Sequence, residues 1–318
     1  MLKHMHLVNL PFPFLETPAK RVRRFLPWRI NGVRFARKGV GVTNHLHADT
    51  PSQAVQYGDD RIAIFNFEER VDGVAHPVPS VSPLQEENFK AMFAREIGKL
   101  DNWVAEAGWR LPSPFPRLRV FVSQHFRTAR SLVPQWTGDP GRMEFPSFRV
   151  AVGEANILHE LVHIYFPNAN RMLAEGLAVY LQQEIGGNRA YPNFGEDLHL
   201  FVQCKLHTEL GSELKDICID CLDQITTPSL LALRVGRNIV KGSWPYLFAG
   251  SFVRFLVETY GIDRFRSLYT RTPLVPLQRD AGSPSRWTEV YGLSLTDLEL
   301  QWKSLISRLD YRQVDSFE

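Results

Sequence analysis

Ile157-Leu158-His159-Glu160-Leu161-Val162-His163-Ile164-Tyr165, followed after a short turn by Leu173-Ala174-Glu175-Gly176-Leu177-Ala178, decides how the chain is read. Residues four apart on an α-helix lie about 40° apart around its axis, so His159 and His163 project from one face. Leu158, Leu161, Val162, Ile164 and Tyr165 make the helix apolar nearly all round, which predicts a core helix. A core helix that also carries two His and a Glu needs a reason, because buried ionisable groups are costly unless paired or metal-bound. The helix is expected from about Ala155 to Phe166, where Pro167 stops it. A second helix is expected from about Met172 to Ile185, stopped by Gly186-Gly187.

His159-Glu160-Leu161-Val162-His163 is an H-E-x-x-H sequence. Two imidazoles on one helix face can bind one Zn²⁺ at about 2.0–2.1 Å. Glu160 lies about 100° round the helix from His159, near such a metal without having to ligate it, where a base for a metal-activated water is needed. A catalytic zinc takes a third protein ligand and keeps a position open. Glu175 is the candidate, since the turn at 167–170 lets the second helix fold back on the first. Gly176 is expected to permit close approach of those two backbones.

The run H-E-L-V-H, a spacer, then L-A-E-G-L-A-V-Y resembles the gluzincin zinc peptidases, specifically the peptidase MA-like group. The resemblance implies that Glu175, in the E-x-x-A context ending at Ala178, is the third zinc ligand. Tyr246–Val257, Tyr260-Gly261, Val290–Leu298 and Trp302 are similar to the family's C-terminal helical part, and coverage is about residues 82–308. The implied fold is α+β: a zincin-like mixed α/β lobe with the active-site helix (81–190), then a mainly helical C-terminal lobe (191–318). Residues 1–80, a basic and β-rich accessory segment, stand outside the resemblance. The implied activity is hydrolysis of peptide bonds, with a peptide or protein bound in extended form and Glu160 as general base. The resemblance also implies a Tyr or His from the helical part as oxyanion donor; Tyr246 is the choice, with Tyr260 and Tyr291 as rivals. A metzincin reading fails because its Gly and third His would fall at Phe166 and Ala169. Gly141-Arg142-Met143-Glu144 is similar to part of the G-x-M-E-N sequence of gluzincin aminopeptidases, but Phe145 replaces the Asn, and aminopeptidase activity is not assigned.

Outside this region the sequence organises as follows. Arg61–Phe67 alternates as a strand, Leu118–Ser123 is the strongest strand candidate, and Ser147–Val152 is a shorter one, expected to be the sheet edge along which substrate lies. Ser82-Pro83-Leu84-Gln85 is a helix start, and Phe89, Phe93, Ile97, Leu100 and Val104 form its buried stripe. Phe248, Phe252, Phe255 and Leu256 give a helix ending near Gly261, and Ser294 caps a final one.

The 318 residues are 22% charged and 44% hydrophobic, which suits a globular chain and excludes wholesale disorder. Nine basic side chains against one acid give residues 1–40 a net +8, so the overall +3 leaves −5 for the rest. Such an arm fits a nucleic-acid or membrane-surface binder, but no folded nucleic-acid motif accompanies it, and no nucleic-acid partner is expected. A non-catalytic zinc-fold protein that binds a partner is the other alternative; a purely structural zinc has no need of the non-ligating Glu160. Three Cys are too few for a disulfide framework, and Cys218-x-x-Cys221 with Cys204 is expected to be reduced. A second zinc there would need His199 or His207 at an unusual spacing. No signal peptide or transmembrane segment is recognised, which predicts a cytoplasmic protein.

Overall fold

A computed structural model of the protein describes residues 27–30, 33–36, 54–57, 61–71, 74–132, 141–186, 191–206, 216–223, 233–235, 238–240, 244–272 and 282–309. The chain divides into two units, Met1–His47 and Ala48–Glu318. The first contains the antiparallel hairpin of β1 (Pro27–Ile30) and β2 (Val33–Ala36). The side chains of the basic arm, and His45, His47 and His207, lie outside the described residues.

In the second unit the order is β3 (Ala54–Tyr57), β4 (Arg61–Asn66), β5 (Glu68–Val71), β6 (Val74–Pro77), α1 (Pro83–Glu106), β7 (Leu118–Ser123), β8 (Arg130–Leu132), β9 (Arg142–Pro146) and α2 (Ser147–Ala151). Helices then dominate: α3 (Ile157–Tyr165), α4 (Arg171–Glu184), α5 (Leu198–Lys205) and α6 (Asp220–Asp223). After the hairpin of β10 (Leu233–Val235) and β11 (Asn238–Val240) come α7 (Trp244–Tyr260), α8 (Ile262–Thr270), α9 (Ser285–Tyr291) and α10 (Leu295–Ser307). The architecture is α+β.

The main sheet has five strands in the order β3-β4-β7-β9-β8. Its three central strands are parallel, with Ala63 opposite Leu118 and Val120 opposite Met143, and β3 and β8 are antiparallel edges. Helix α1 starts with the expected capping box: Gln85 N–H donates to Ser82 Oγ at 3.4 Å, and Ser82 N–H to Gln85 Oε1 at 2.8 Å. Its stripe of Phe89, Phe93, Ile97 and Leu100 is buried against the sheet, with Phe93 edge-on to Phe65 at 5.2 Å and Phe89 edge-on to Phe145 at 5.4 Å. Arg61 of β4 grips Asp101 of α1 with two bonds of 2.5 and 2.7 Å, and Tyr165 of α3 donates to the same carboxylate at 2.9 Å. One ion-paired knot therefore ties sheet, α1 and the end of α3 together.

Three expectations are corrected. Ser147–Val152 is not a strand: Ser147 and Val150, three apart, are buried, while Phe148 and Val152, four apart, are 51% and 64% exposed. That is helical periodicity, and six residues were too few to tell it from alternation. The strand precedes it as β9, and the sheet edge on that side is β8. The boundary expected near residue 80 falls instead after His47, because β3 and β4 complete the main sheet. Cys218 and Cys221 are joined in a disulfide, since C-x-x-C spacing suffices for one local bridge whatever the total count; Cys204 is not part of that bridge.

Helix α4 is buried without interruption from Met172 to Gln182, between α3 and α7. Gly176 faces α7, not α3: a Cβ there would stand 2.5 Å from Val253 Cγ2 and 2.7 Å from the Ala249 carbonyl oxygen. Gly250 returns the arrangement, its missing Cβ leaving room for Val179. The segment expected as a separate helical lobe thus shares one hydrophobic core with the sheet lobe. No helix among the described residues is long and apolar enough to cross a membrane.

His199 of α5 meets Ser251 Oγ through Nδ1 at 2.8 Å, and Ser251 accepts from Trp302 Nε1 at 2.9 Å. Burial, reinforced by Arg254, pushes this imidazole down to about 4 against the pull of Asp197 and Glu258. The unfolded chain therefore takes up a proton between about pH 6.5 and 4 that the native state refuses, and stability falls as pH drops through that window. The expected loss is about 3 kcal/mol, read from urea unfolding at pH 7 and pH 4, and His199→Gln should remove that part of the slope.

Candidate functional site

The turn between α3 and α4 sets the site. Tyr269 Oη donates to the Phe166 carbonyl at 2.7 Å, and Asn168 Nδ2 to the Tyr269 carbonyl at 3.0 Å. Asn168 Oδ1 accepts from Asn170 N at 2.8 Å. Asn170 then caps α4, accepting from Leu173 N at 3.0 Å, while its Nδ2 donates to Asp223 Oδ1 at 2.8 Å. Asp223 is held in turn by Arg286 Nη2 at 2.5 Å and Trp287 Nε1 at 3.1 Å. With the turn fixed this way, α4 runs back beside α3.

That geometry brings His159, His163 and Glu175 together, and their donor atoms form the one metal-ligand-type cluster of three among the described residues. Glu175 Oε2 lies 3.1 Å from His159 Nε2 and 3.3 Å from His163 Nε2, and the two nitrogens are 3.3 Å apart. Donors around a tetrahedral ion 2.0–2.1 Å from each stand ~3.3 Å apart, so the triangle has the size of one face of such a site. Two imidazole nitrogens and one carboxylate oxygen are also a donor set suited to a divalent ion of borderline softness. His159 Nδ1 is buried and has no hydrogen-bond partner among the described residues, so Nε2, facing the cluster, is its engaged atom.

The other Glu175 oxygen, Oε1, is held by Arg171 Nη2 at 2.5 Å, one helical turn earlier. Burial acts to raise the Glu175 carboxyl, but Arg171 and the two imidazoles overcome it and hold it well below the usual carboxylate range.

Glu160 is 3% exposed and contributes no donor to the triangle. Ser131 Oγ on the edge strand β8 lies 2.9 Å from its Oε2 and 2.7 Å from its backbone oxygen. Asn156 Nδ2 donates to Oε1 at 3.2 Å, and makes no cap bond to α3. Burial pushes the Glu160 carboxyl up to about 7, against the opposing pull of His159 and the Ser131 hydroxyl. The Ser131 hydroxyl has one proton, so it can give it to the ionised carboxylate or turn it to the backbone oxygen and accept from the protonated acid. The pair accommodates both protonation states without rearrangement.

Tyr246, in the first turn of α7, is half-buried and electrostatically coupled to Glu175, Arg171, Tyr191 and Glu160; burial, then Glu175, raises its hydroxyl above the ordinary tyrosine value. Its ring lies 6.3 Å from that of Tyr191. Tyr260 and Tyr291 instead meet edge-to-face at 5.2 Å, with Tyr260 Oη on Gln301. Neither rival joins the cluster. Glu144 is buried on β9 between Arg130 and Arg142. His199 is engaged with Ser251, and no second metal cluster forms with the cysteines among the described residues.

Sequence reasoning missed Ser131, Asn156, Arg171 and Tyr191. The spacing Arg171-x-x-x-Glu175 was a legible signal, as was Asn156 four residues before Glu160. Ser131 and Tyr191 arrive from distant segments and carry no local mark. No protein-family model and no curated protein matches the chain.

Proposed function

We propose that the protein is a zinc-dependent peptidase of gluzincin type, with His159, His163 and Glu175 as metal ligands and a zincin-like arrangement of sheet and helices around them. The observation that carries the reading is the juxtaposition of a three-donor triangle with one further buried carboxyl, Glu160, that contributes no donor to it. When bound, the zinc ion supplies Lewis acidity to a water and to the scissile carbonyl. Glu160 would take a proton from the attacking water and pass it to the leaving amine, the role of a buried carboxyl that is not itself a metal ligand. Ser131 and Asn156 keep its oxygens oriented through the cycle. Tyr246 donates to the oxyanion that develops on the former carbonyl. The peptide lies extended along β8, adding a strand to the edge next to Ser131.

The test combines elemental analysis with a peptide-library cleavage assay. About one zinc per chain is expected, with cleavage abolished by a chelator and restored by zinc. Tyr246→Phe should keep the zinc and lose about 10²-fold in kcat. Zinc-free protein after growth and dialysis with zinc, or cleavage indifferent to chelation, would sink the reading.

A further inference from the structure

Arg171 stands outside the H-E-x-x-H and Glu pattern, yet its guanidinium is inside the site. Its Nη2 sits 2.5 Å from Glu175 Oε1, its side chain is only 19% exposed, and its charge reaches Glu160 and Tyr246. Glu175 is the sole carboxylate in the donor triangle, and its two oxygens have separate duties: Oε2 faces both imidazoles and Oε1 faces Arg171. Were Arg171 absent, both oxygens would be free to turn toward a cation, because a carboxylate binds hard and borderline metals through one oxygen or two. A second oxygen on the metal would fill the position that a catalytic site keeps open.

We propose that Arg171 is a positioning residue: by holding Glu175 through Oε1 it presents a single oxygen to the metal site and keeps the remaining position free for water and substrate. This rests on the metal reading above. The guanidinium has a second consequence. It offsets the charge of Glu175, so the carboxylate neutralises less of the charge of a divalent ion held there, leaving more for polarising what occupies the open position. The helix spacing makes the arrangement stiff: i,i+4 neighbours share a face, and α4 is buried on either side of the pair.

The test uses the full-length chain as wild type, Arg171→Lys and Arg171→Met, each loaded with zinc. X-ray absorption fine structure counts the oxygen and nitrogen neighbours of the metal, and competition with a chromophoric chelator gives the rate of zinc loss. Wild type and Arg171→Lys, which retains the charge, are expected to show the same neighbour count and loss rates within about threefold. Arg171→Met is expected to gain one carboxylate oxygen on the metal and to change its loss rate by at least tenfold. An unchanged neighbour count and loss rate in Arg171→Met would overturn the proposal while leaving the metal reading intact. A wild type that binds no zinc would overturn both. If Arg171→Met does not fold, Arg171→Ala, which also removes the donor, is judged by the same two outcomes.

Discussion

Glu160→Gln is expected to lower kcat/KM on any cleaved peptide by about 10³-fold while leaving one zinc per chain. The substitution keeps the shape of the side chain and its capacity to bond Ser131 and Asn156, so the donor triangle, to which Glu160 contributes nothing, should persist. What it removes is the ability to take a proton and give it back. A second readout follows from burial. The Glu160 carboxyl is raised above its unfolded value, to about 7, so its contribution to stability is fully present below about pH 4.5 and is lost as pH rises through 7. In metal-free protein at pH 8 a buried carboxylate therefore costs about 3 kcal/mol, and Glu160→Gln should recover much of it as a higher unfolding midpoint. Loss of activity joined to gain of stability is the signature of a group held where it works rather than where it is comfortable. Equal activity in the two proteins would remove Glu160 from the chemistry, and zinc loss in Glu160→Gln would make it a structural residue.

Gly176→Ala is expected to destabilise the protein by about 2 kcal/mol and to impair zinc retention. Two effects oppose each other. Alanine in place of glycine inside a helix gains about 1 kcal/mol of intrinsic propensity. Against that, the added methyl would stand 2.5 Å from Val253 Cγ2 and 2.7 Å from the backbone oxygen of Ala249. The valine can shift; the carbonyl belongs to α7 and cannot move alone. Overpacking of this kind costs about 1–3 kcal/mol and more when backbone must yield. The helices must part, and the residue preceding Gly176 in the chain is Glu175. Denaturant unfolding gives the stability and chelator competition the zinc retention. A variant as stable as wild type would show that α4 and α7 have slack at this crossing.

The sequence was most legible where chemistry and local structure coincide. His159 and His163 share a helix face by spacing alone, Ser82 announces its capping box, and Leu118–Ser123 is the strand its short apolar run predicts. What it could not supply was direction. Gly176 was recognisable as a point of close approach, but which helix approached depended on how α7 docks, some 70 positions further on. Ser147–Val152 presented alternating apolar residues too briefly to distinguish period two from period three and a half. Ser131 shows the same limit at the site: a lone serine on a three-residue strand gains its role only from the antiparallel pairing that puts β8 at the edge beside α3. Tyr246 lay between the extremes, a choice among three tyrosines that only the edge-to-face contact of the other two separates.

The anchoring of Asn170 has a consequence for the order in which the molecule becomes competent. The two histidines and Glu175 are close in the chain, and a nascent polypeptide can bring them near one another as soon as α3 and α4 have emerged. The turn that orients them is gripped by Asp223, which Arg286 and Trp287 grip in turn, more than a hundred positions downstream. These are contacts of high sequence separation, and loop-closure entropy makes them late. The three candidate ligands are thus among the first parts of the site to be synthesised and the last to be aligned, and an incomplete chain holds the residues of the proposed site without its geometry.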